Sequence, residues 1–565
     1  MTINAGLRYE LETPRTEKYG NQAYIRLNTA GNLNGVLPTS TAYCFSNACG
    51  NPQTLWPINY KGFEPRIGFA YAPTPRTTVR AAYTLQRLPL TGYENIPDPN
   101  FNVASQTVGN QSGGVAPNST VNYITNPVGA LTSAYTALAG NRGPILYSTG
   151  LAPVFVSQSN SVPYTQSWSF TLQYQPAPFT ILQATYNGAK GTHLIGPFTN
   201  ALNTPSLGTI INAVQTHQNL GANAPNSYGI TQNGALLSET NLQLLNPYQN
   251  FFNQVLPEIY PRGGTMEYNG VYLSVNQRFG YGLSVLANYT WSKTMDDVPD
   301  TNTGANSGGF GSAPPQNPYD PKAEWSVSSF DQPSRLKVGY TYELPIGRGQ
   351  WLDTHNGFLN QIIGNISTAG IATYTDGLPS AITLGTVGYF VSVTPSGTNG
   401  CTVSGSAKYC TASALPSGYT LRPDIVPGVP LLNKNWKKNA LGTNFTPYLN
   451  PAAFAVPGSL NNPALGNAPR LLAGARSPRE ALFDMQFTKG IEFGERYHLN
   501  VTGTFSNVFN HPVYYGSNHV LDSSLTTSNV TGTVTPNATA SFGQFNQSQT
   551  AGMSRIIRVG AEFTF

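Results

Sequence analysis

Oxygen ligands crowd at one point of the chain. Asp296, Asp297, Asp300 and Asn302, followed by Gly304, are the residue types that a hard cation such as calcium takes. Pro299 interrupts the run and the spacing is not that of an EF-hand, so a solvated loop is the default reading and no metal ligand is assigned. Gly308, Gly309 and Gly311 (GGFG) follow without a helix behind them, which makes a poor phosphate cradle. The 6 histidines (193, 217, 355, 498, 511 and 519) are scattered. His511 and His519 could share a metal, but no cluster of carboxylates or thiolates stands beside them. There is no G-x-S-x-G elbow, and no Ser/His/Asp set is singled out by its placement. No catalytic residue and no cofactor is therefore assigned, and the reading is non-enzymatic.

The 4 cysteines form two close pairs, Cys44 with Cys49 and Cys401 with Cys410, each in a stretch rich in Gly, Asn, Ser, Thr and Pro. Local loop disulfides made in an oxidising compartment are favoured. A four-thiolate zinc site competes poorly, because it uses paired C-x2-4-C spacings and eight residues separate Cys401 from Cys410.

The elements that must carry these residues are constrained by composition. Of 565 residues only 10% are charged, against about 25% in an ordinary soluble domain. Hydrophobic residues do not fill the gap, at 39% with a mean hydropathy of -0.23; Gly (57), Pro (44) and Tyr (32) help to do so. No run is apolar and long enough for a transmembrane helix. Aromatics at 11% and a net charge of +5 fit disorder poorly, and the charge is too weak and too evenly spread to imply nucleic acid as a partner.

Period-2 alternation recurs along the chain. In 78–87, Val79, Ala81, Tyr83 and Leu85 share one face, and Arg80, Thr84 and Gln86 the other. In 167–175, Trp168, Phe170, Leu172 and Tyr174 oppose Ser167, Ser169, Thr171 and Gln173. In 283–291, Leu283, Val285, Ala287, Tyr289 and Trp291 oppose Ser284, Asn288 and Thr290, with Leu286 the exception. In 335–344, Leu336, Val338, Tyr340, Tyr342 and Leu344 oppose Arg335, Lys337, Thr341 and Glu343. Shorter or weaker versions at 2–11, 64–72, 179–187, 269–278, 365–376, 481–489 and 497–507, and a strong one at 555–565, bring the expectation to twelve strands.

The connections alternate between short and long. Short ones lie at 73–77, 175–178, 279–282, 345–364 and 490–496; long Gly/Asn/Pro/Ser-rich ones lie at 12–63, 88–164, 188–268, 294–334, 377–480 and 508–554. A soluble sandwich has no reason to place every long loop at one end. A transmembrane antiparallel β-barrel of the bacterial outer membrane does, with short periplasmic turns, long extracellular loops and strands of about 9–11 residues. Outward residues then meet lipid, inward residues meet water, and Tyr9, Tyr71, Tyr174, Tyr289, Trp291, Tyr340 and Tyr342 suit the interfacial girdles.

The end of the chain alternates as well: Ile557, Val559, Ala561, Phe563 and Phe565 against Arg558, Glu562 and Thr564. A terminal aromatic in this pattern looks like the signal read by the barrel assembly machinery. Residues 1–10 (MTINAGLRYE) lack a basic n-region and an apolar h-region and already read as a strand. The expectation is a truncated chain or a mis-called start, in which 1–565 is one partial barrel domain. Either its twelve strands close on themselves or further strands precede them, because a bilayer does not tolerate unpaired edges.

Several stretches carry a family resemblance. They are FEPRIGFAYAPTPRTTVRAAY (63–83), PYTQSWSFTLQYQ (163–175), ATYNGAKGTHL (184–194) and YGLSVLANYTWSKTMDD (281–297). They continue with SSFDQPSRLKVGYTYELPIG (328–347), RPDIV (422–426), LNPAAFAVP (449–457), GNAPR (466–470) and FSNVFNHP (505–512). In content and order these resemble the C-terminal barrel portion of Oar-like TonB-dependent transporters. The resemblance implies a barrel of about 22 strands preceded by a signal peptide, a carboxypeptidase-regulatory-like sandwich, a TonB box and a plug. It also implies coupling to TonB through a part this chain lacks. The expected function is uptake of a large or scarce ligand, be it an oligosaccharide, a peptide or a metal chelate, captured by loops 88–164, 188–268 and 377–480. The runner-up is a structural or adhesive barrel that displays loops; a barrel-housed lipase ranks third.

Overall fold

The computed structural model describes residues 1–14, 56–89, 159–195, 203–216, 262–280, 282–298, 315–347, 350–353, 356–384, 419–439, 446–455, 462–494, 496–514 and 554–565, together with short pieces between them. Twelve long strands form one sheet: β1 (Thr2–Tyr9), β2 (Phe63–Thr74), β3 (Thr77–Arg87), β4 (Tyr164–Ala177), β5 (Thr180–Leu194) and β6 (Gly264–Arg278). The other six are β7 (Leu283–Asp296), β8 (Ser334–Glu343), β9 (Ile366–Thr375), β10 (Glu480–Phe493), β11 (Tyr497–Ser506) and β12 (Ile556–Thr564). Each pairs antiparallel with the next in chain order. All twelve expected strands are present, including β9, where Gly, Ala and Thr dilute both faces. The strands around the middle run further toward the long loops than alternation alone marks, β5 to Leu194 and β7 to Asp296. Among the described residues β1 meets only β2 and β12 only β11, so the twelve strands do not close on themselves.

Register aligns the apolar faces into continuous rows. One crosses nine strands: Tyr71, Val79, Leu172, Ala184, Leu273, Tyr289, Leu336, Tyr374 and Ala481. The next residue on each strand faces the other way, and the row from Arg80 runs through Thr171, Thr185, Tyr272, Thr290, Arg335 and Thr375 to Glu480. On that face the side chains bond across strands: Tyr272 Oη and Ser274 Oγ donate to Asn288 Oδ1 at 2.6 and 2.8 Å, and the Thr171 and Thr185 hydroxyls lie 3.0 Å apart. On the apolar face, Leu273 is 43% exposed, as are Phe170, Leu172 and Phe487 to similar degrees. Hydrocarbon supplies the contacts that a protein core would otherwise provide. A Cβ on Gly188 would run into the indole of its register partner Trp168, so the strand stays bare there to seat the ring.

The sheet contains little of the buried core. That core lies in the long connections, in a cluster that includes Ile210, Leu242, Ile382, Leu384, Tyr419, Leu421, Trp436, Tyr448, Leu449, Phe454, Leu472 and Phe542. One element there is absent from the alternation pattern, the helix α1 (Leu207–Gln215). Ser206 Oγ accepts from Thr209 N at 3.2 Å at its start, and Ile210 and Ala213, three positions apart on one face, enter the cluster. The connection 345–364 also holds a helix, α2 (Gly357–Ile363), whose first turn is capped by Asn356 Oδ1 accepting from Phe358 N and Leu359 N.

Candidate functional site

The loop layer is fastened to the wall by arginines. Arg422, Arg470, Arg476 and Arg479 all come from the connection between β9 and β10; their partners Asp296, Glu324, Asp331 and Asp376 sit at or just beyond the long-loop ends of β7, β8 and β9. Arg422 pairs with Glu324 with both side chains buried, and Glu324 Oε1 also accepts from Gln316 N at 2.9 Å. Arg470 pairs with the Asp296 carboxylate and donates to the Asp296 carbonyl at 3.0 Å. Arg476 pairs with Asp331 at 2.5 Å and donates to the Asp331 carbonyl at 2.7 Å, while Asp331 Oδ1 accepts from Thr294 N at 2.6 Å. Arg479 Nε lies 2.7 Å from Asp376 Oδ1. Charge-assisted bonds that combine a side chain with backbone fix position as well as adding energy.

At Asp296 and Asp297 the solvated-loop reading of the acidic run gives way to a structural one, since both are buried. Asp296 is held by Arg470, and Asp297 accepts from Thr265 N at 2.5 Å and from Thr265 Oγ1 at 2.9 Å, which closes the end of β6 against β7. Asp300, Asn302 and the GGFG stretch lie outside the described residues. Among the described residues no group of three His, Cys, Asp or Glu could hold a metal.

The quoted motifs converge above the rim. Asp424–Ile425 pairs with Phe454–Ala455, Asn467 Oδ1 accepts from Ile425 N at 2.8 Å, and Asp424 Oδ1 accepts from Asn467 N at 2.9 Å. RPDIV, LNPAAFAVP and GNAPR are thereby one folded unit. Gly466 must be glycine for it: a Cβ there would strike the carbonyls of Arg422 and Pro423. Asn507 of FSNVFNHP is buried with φ 47°. Its backbone N–H donates to Asp484 Oδ1 at 2.7 Å and its side chain exchanges bonds with the His511 backbone, turning the chain off β11. His519 lies outside the described residues.

Two buried tyrosines tie the layer together. Tyr419 Oη donates to the Pro205 carbonyl at 2.9 Å ahead of α1, and Tyr448 Oη donates to the Arg476 carbonyl. Burial pushes the Tyr448 phenol up to about 12 and raises Tyr419 further, so both remain protonated donors. Beside Tyr448 a cavity of about 910 Å³ opens between the layer and the ends of β9 and β10, lined among others by Asp376, Trp436, Arg476, Arg479 and Tyr514. Its lining is rich in aromatic and cationic side chains.

Cys401 and Cys410 are direct register partners in a small hairpin, Cys401–Ser404 with Ala407–Ala412. Cys44 stands opposite Tyr24 in a short pair, and Cys49 lies outside the described residues. Val559, Ala561 and Phe563 face one side of β12, in register with Gly503, Val501 and Leu499, and Phe565 follows beyond the strand's end. Loop 88–164, one of the expected capture loops, lies almost wholly outside the described residues. What the alternation missed is the arginine clamp; its signal was the gathering of four arginines in one loop of a chain so poor in charge.

A family model described as outer membrane beta barrel domain matches residues 1–558. No curated protein matches the chain. Among solved structures the chain is similar to the outer membrane transporter YddB from Escherichia coli, at 8% identity and a TM-score of 0.33, covering 89% of this chain and 40% of that one. It is similar to the ferric citrate transporter FecA in its unliganded form, at 7% and 0.31, covering 89% and 38%. Similarity to the FrpB iron transporter from Neisseria meningitidis is 10% and 0.31, covering 90% and 41%. The chain spans about two fifths of the length of these structures.

Proposed function

Starting from a chain that belongs to the outer membrane beta barrel domain family, we propose that it is barrel wall and loop layer of an Oar-like TonB-dependent receptor that takes up a large or scarce ligand. The observation that carries this reading is the loop layer itself. Loops that merely decorate a barrel need no common hydrophobic core, whereas here connections from three parts of the chain share one and are bolted to the wall by four arginine–carboxylate pairs. Such a layer can present a preorganised surface, which lowers the ordering cost of capture.

The two open edges of β1 and β12 support a wall completed by further strands, since the bilayer leaves an edge no partner. In this reading residues 1–565 form a single partial domain, coupling to TonB is supplied by a part outside these residues, and Val559, Ala561, Phe563 and Phe565 are the assembly signal. Cys401 and Cys410 form a hairpin disulfide and Cys44 and Cys49 a loop disulfide. The ligand class is an oligosaccharide, a peptide or a metal chelate. A purely adhesive barrel is the alternative.

The test is made in the source bacterium. A strain deleted for the gene is compared with its parent for uptake of a labelled oligosaccharide mixture, a labelled peptide mixture and ferric chelates, each with and without a protonophore. One class of uptake, abolished both by the deletion and by the protonophore, is expected. Unchanged uptake of all three, with loss of surface attachment instead, overturns the transport reading in favour of display.

A further inference from the structure

Two cavities adjoin at the rim of β9 and β10. The upper one, about 910 Å³, carries Lys434, Lys437, Arg476 and Arg479 in its lining against a single carboxylate, Asp376. The lower one, about 260 Å³, is lined largely by Leu336, Ala372, Phe483 and Phe509. They share Tyr374, Ala481 and His511, so one continues into the other.

Their position on the wall is set by register. Tyr374 and Ala481 end the apolar row that runs through Leu273 and Leu336, so the cavities open on the side of the sheet that meets lipid. The lower cavity belongs to that apolar face, and Phe509, 71% exposed, stacks on Phe483 at 5.5 Å along its side. The upper cavity lies beyond the last apolar residue, at the level where hydrocarbon gives way to headgroups. Arg476 is spent on Asp331, but the two lysines are displayed rather than consumed. Lys437 Nζ lies 5.7 Å from the Trp436 ring centroid, and among the described residues neither it nor Lys434 pairs with a carboxylate. Arg479 is bound to Asp376 yet 67% exposed, its guanidinium 5.8 Å from the Tyr374 ring. A girdle needs only aromatic rings; an excess of fixed positive charge over an apolar slot asks for an amphiphile with an anionic head.

We propose that this composite site holds a phosphorylated lipid of the outer leaflet, its phosphate among Lys434, Lys437 and Arg479 and one acyl chain in the slot of Leu336, Phe483 and Phe509. Phosphate oxygens accept several charge-assisted bonds at once, which a zwitterionic head with its own cation offsets. The slot distinguishes a lipid from a free anion, because inorganic phosphate gains nothing from it.

The full chain, refolded in a neutral detergent, is titrated with bisphosphorylated lipid A, phosphatidylcholine and inorganic phosphate, and bound species are counted by native mass spectrometry. Lipid A is expected to bind, with affinity falling as salt rises. The K434E/K437E double variant should weaken it by about tenfold or more, equivalent to about 1.4 kcal/mol. F509A should weaken lipid A while the heat-shifted electrophoretic band, the sign of a folded wall, persists. Equal retention of phosphatidylcholine, equal binding of inorganic phosphate, or unchanged lipid A binding in a folded double variant would each overturn the proposal.

Discussion

Leu273 and Leu449 are the same residue type in two environments. Leu273 stands on the wall, 43% exposed, with register partners on adjacent strands; Leu449 lies in the loop layer with no exposure at all. In the wall, each strand needs only its neighbour: hydrogen bonds are made across adjacent strands and the apolar face is left for lipid to cover. In the loop layer, water surrounds the structure, so apolar side chains must find one another. Hydrogen bonds join the layer across long separations too: the Tyr419 hydroxyl donates to the Pro205 carbonyl, 214 residues away, and the Gln316 amide to the Gly466 carbonyl, 150 away. The contrast teaches that one chain can place its greasy residues outside at one level and inside at the next, with the arginine clamp marking the boundary.

The sharpest way to break this comparison is Glu324→Gln. It leaves Arg422 buried without its counter-charge, which costs about 3–5 kcal/mol. The loop layer should open to protease within 377–480 while the wall keeps its heat-shifted mobility. Simultaneous loss of the wall would mean that the two regions are one cooperative unit. Leu273→Arg makes the reciprocal cut, costing roughly 2–4 kcal/mol near mid-membrane. It should abolish the folded band on refolding, whereas the same change on the polar face, Ser274→Arg, should leave it. A gentler separation uses pH. A tyrosine whose phenol is raised from about 10 to about 12 by burial contributes stability that is whole below pH 10 and declines as pH climbs through 12. Protease resistance of the loop layer should therefore fall over that window with strand circular dichroism unchanged, and Tyr448→Phe should flatten the fall.

The wall was legible because lipid on one side and water on the other impose a period of two that needs no knowledge of partners. Every strand from β1 to β12 carried that mark, and the alternation of short and long connections supplied their order. The layer was not legible, since strands such as Asp424–Ile425, Phe454–Ala455 and Leu472–Arg476 are two to five residues long, too short to show a period, and its core is assembled from distant residues such as Ile210, Leu449 and Phe542. The acidic run was read as a solvated loop, yet Asp296 and Asp297 are buried and serve as acceptors for Arg470 and Thr265. Nothing local in residues 296 and 297 distinguishes these roles; the partners lie 174 and 32 residues away. The motifs RPDIV and GNAPR had been visible as strings, and the structure gives them a cause: Gly466 lies against the Arg422 carbonyl, and the Arg residues at their ends are two of the four clamps.

The unbroken register of the wall has a consequence for how this protein can vary in length. Adding or deleting one residue inside a strand would rotate every residue beyond it, sending Arg80, Arg335 or Lys337 into hydrocarbon and Leu273 into the lumen. Among the described residues of the wall, irregularities are accordingly found only near strand ends, between Tyr71 and Thr74, Tyr174 and Ala177, and Gly264 and Met266. Insertions and deletions are thus steered to the six long connections. The surface that meets the outside world is free to diversify, while the span through the membrane is held to a fixed count.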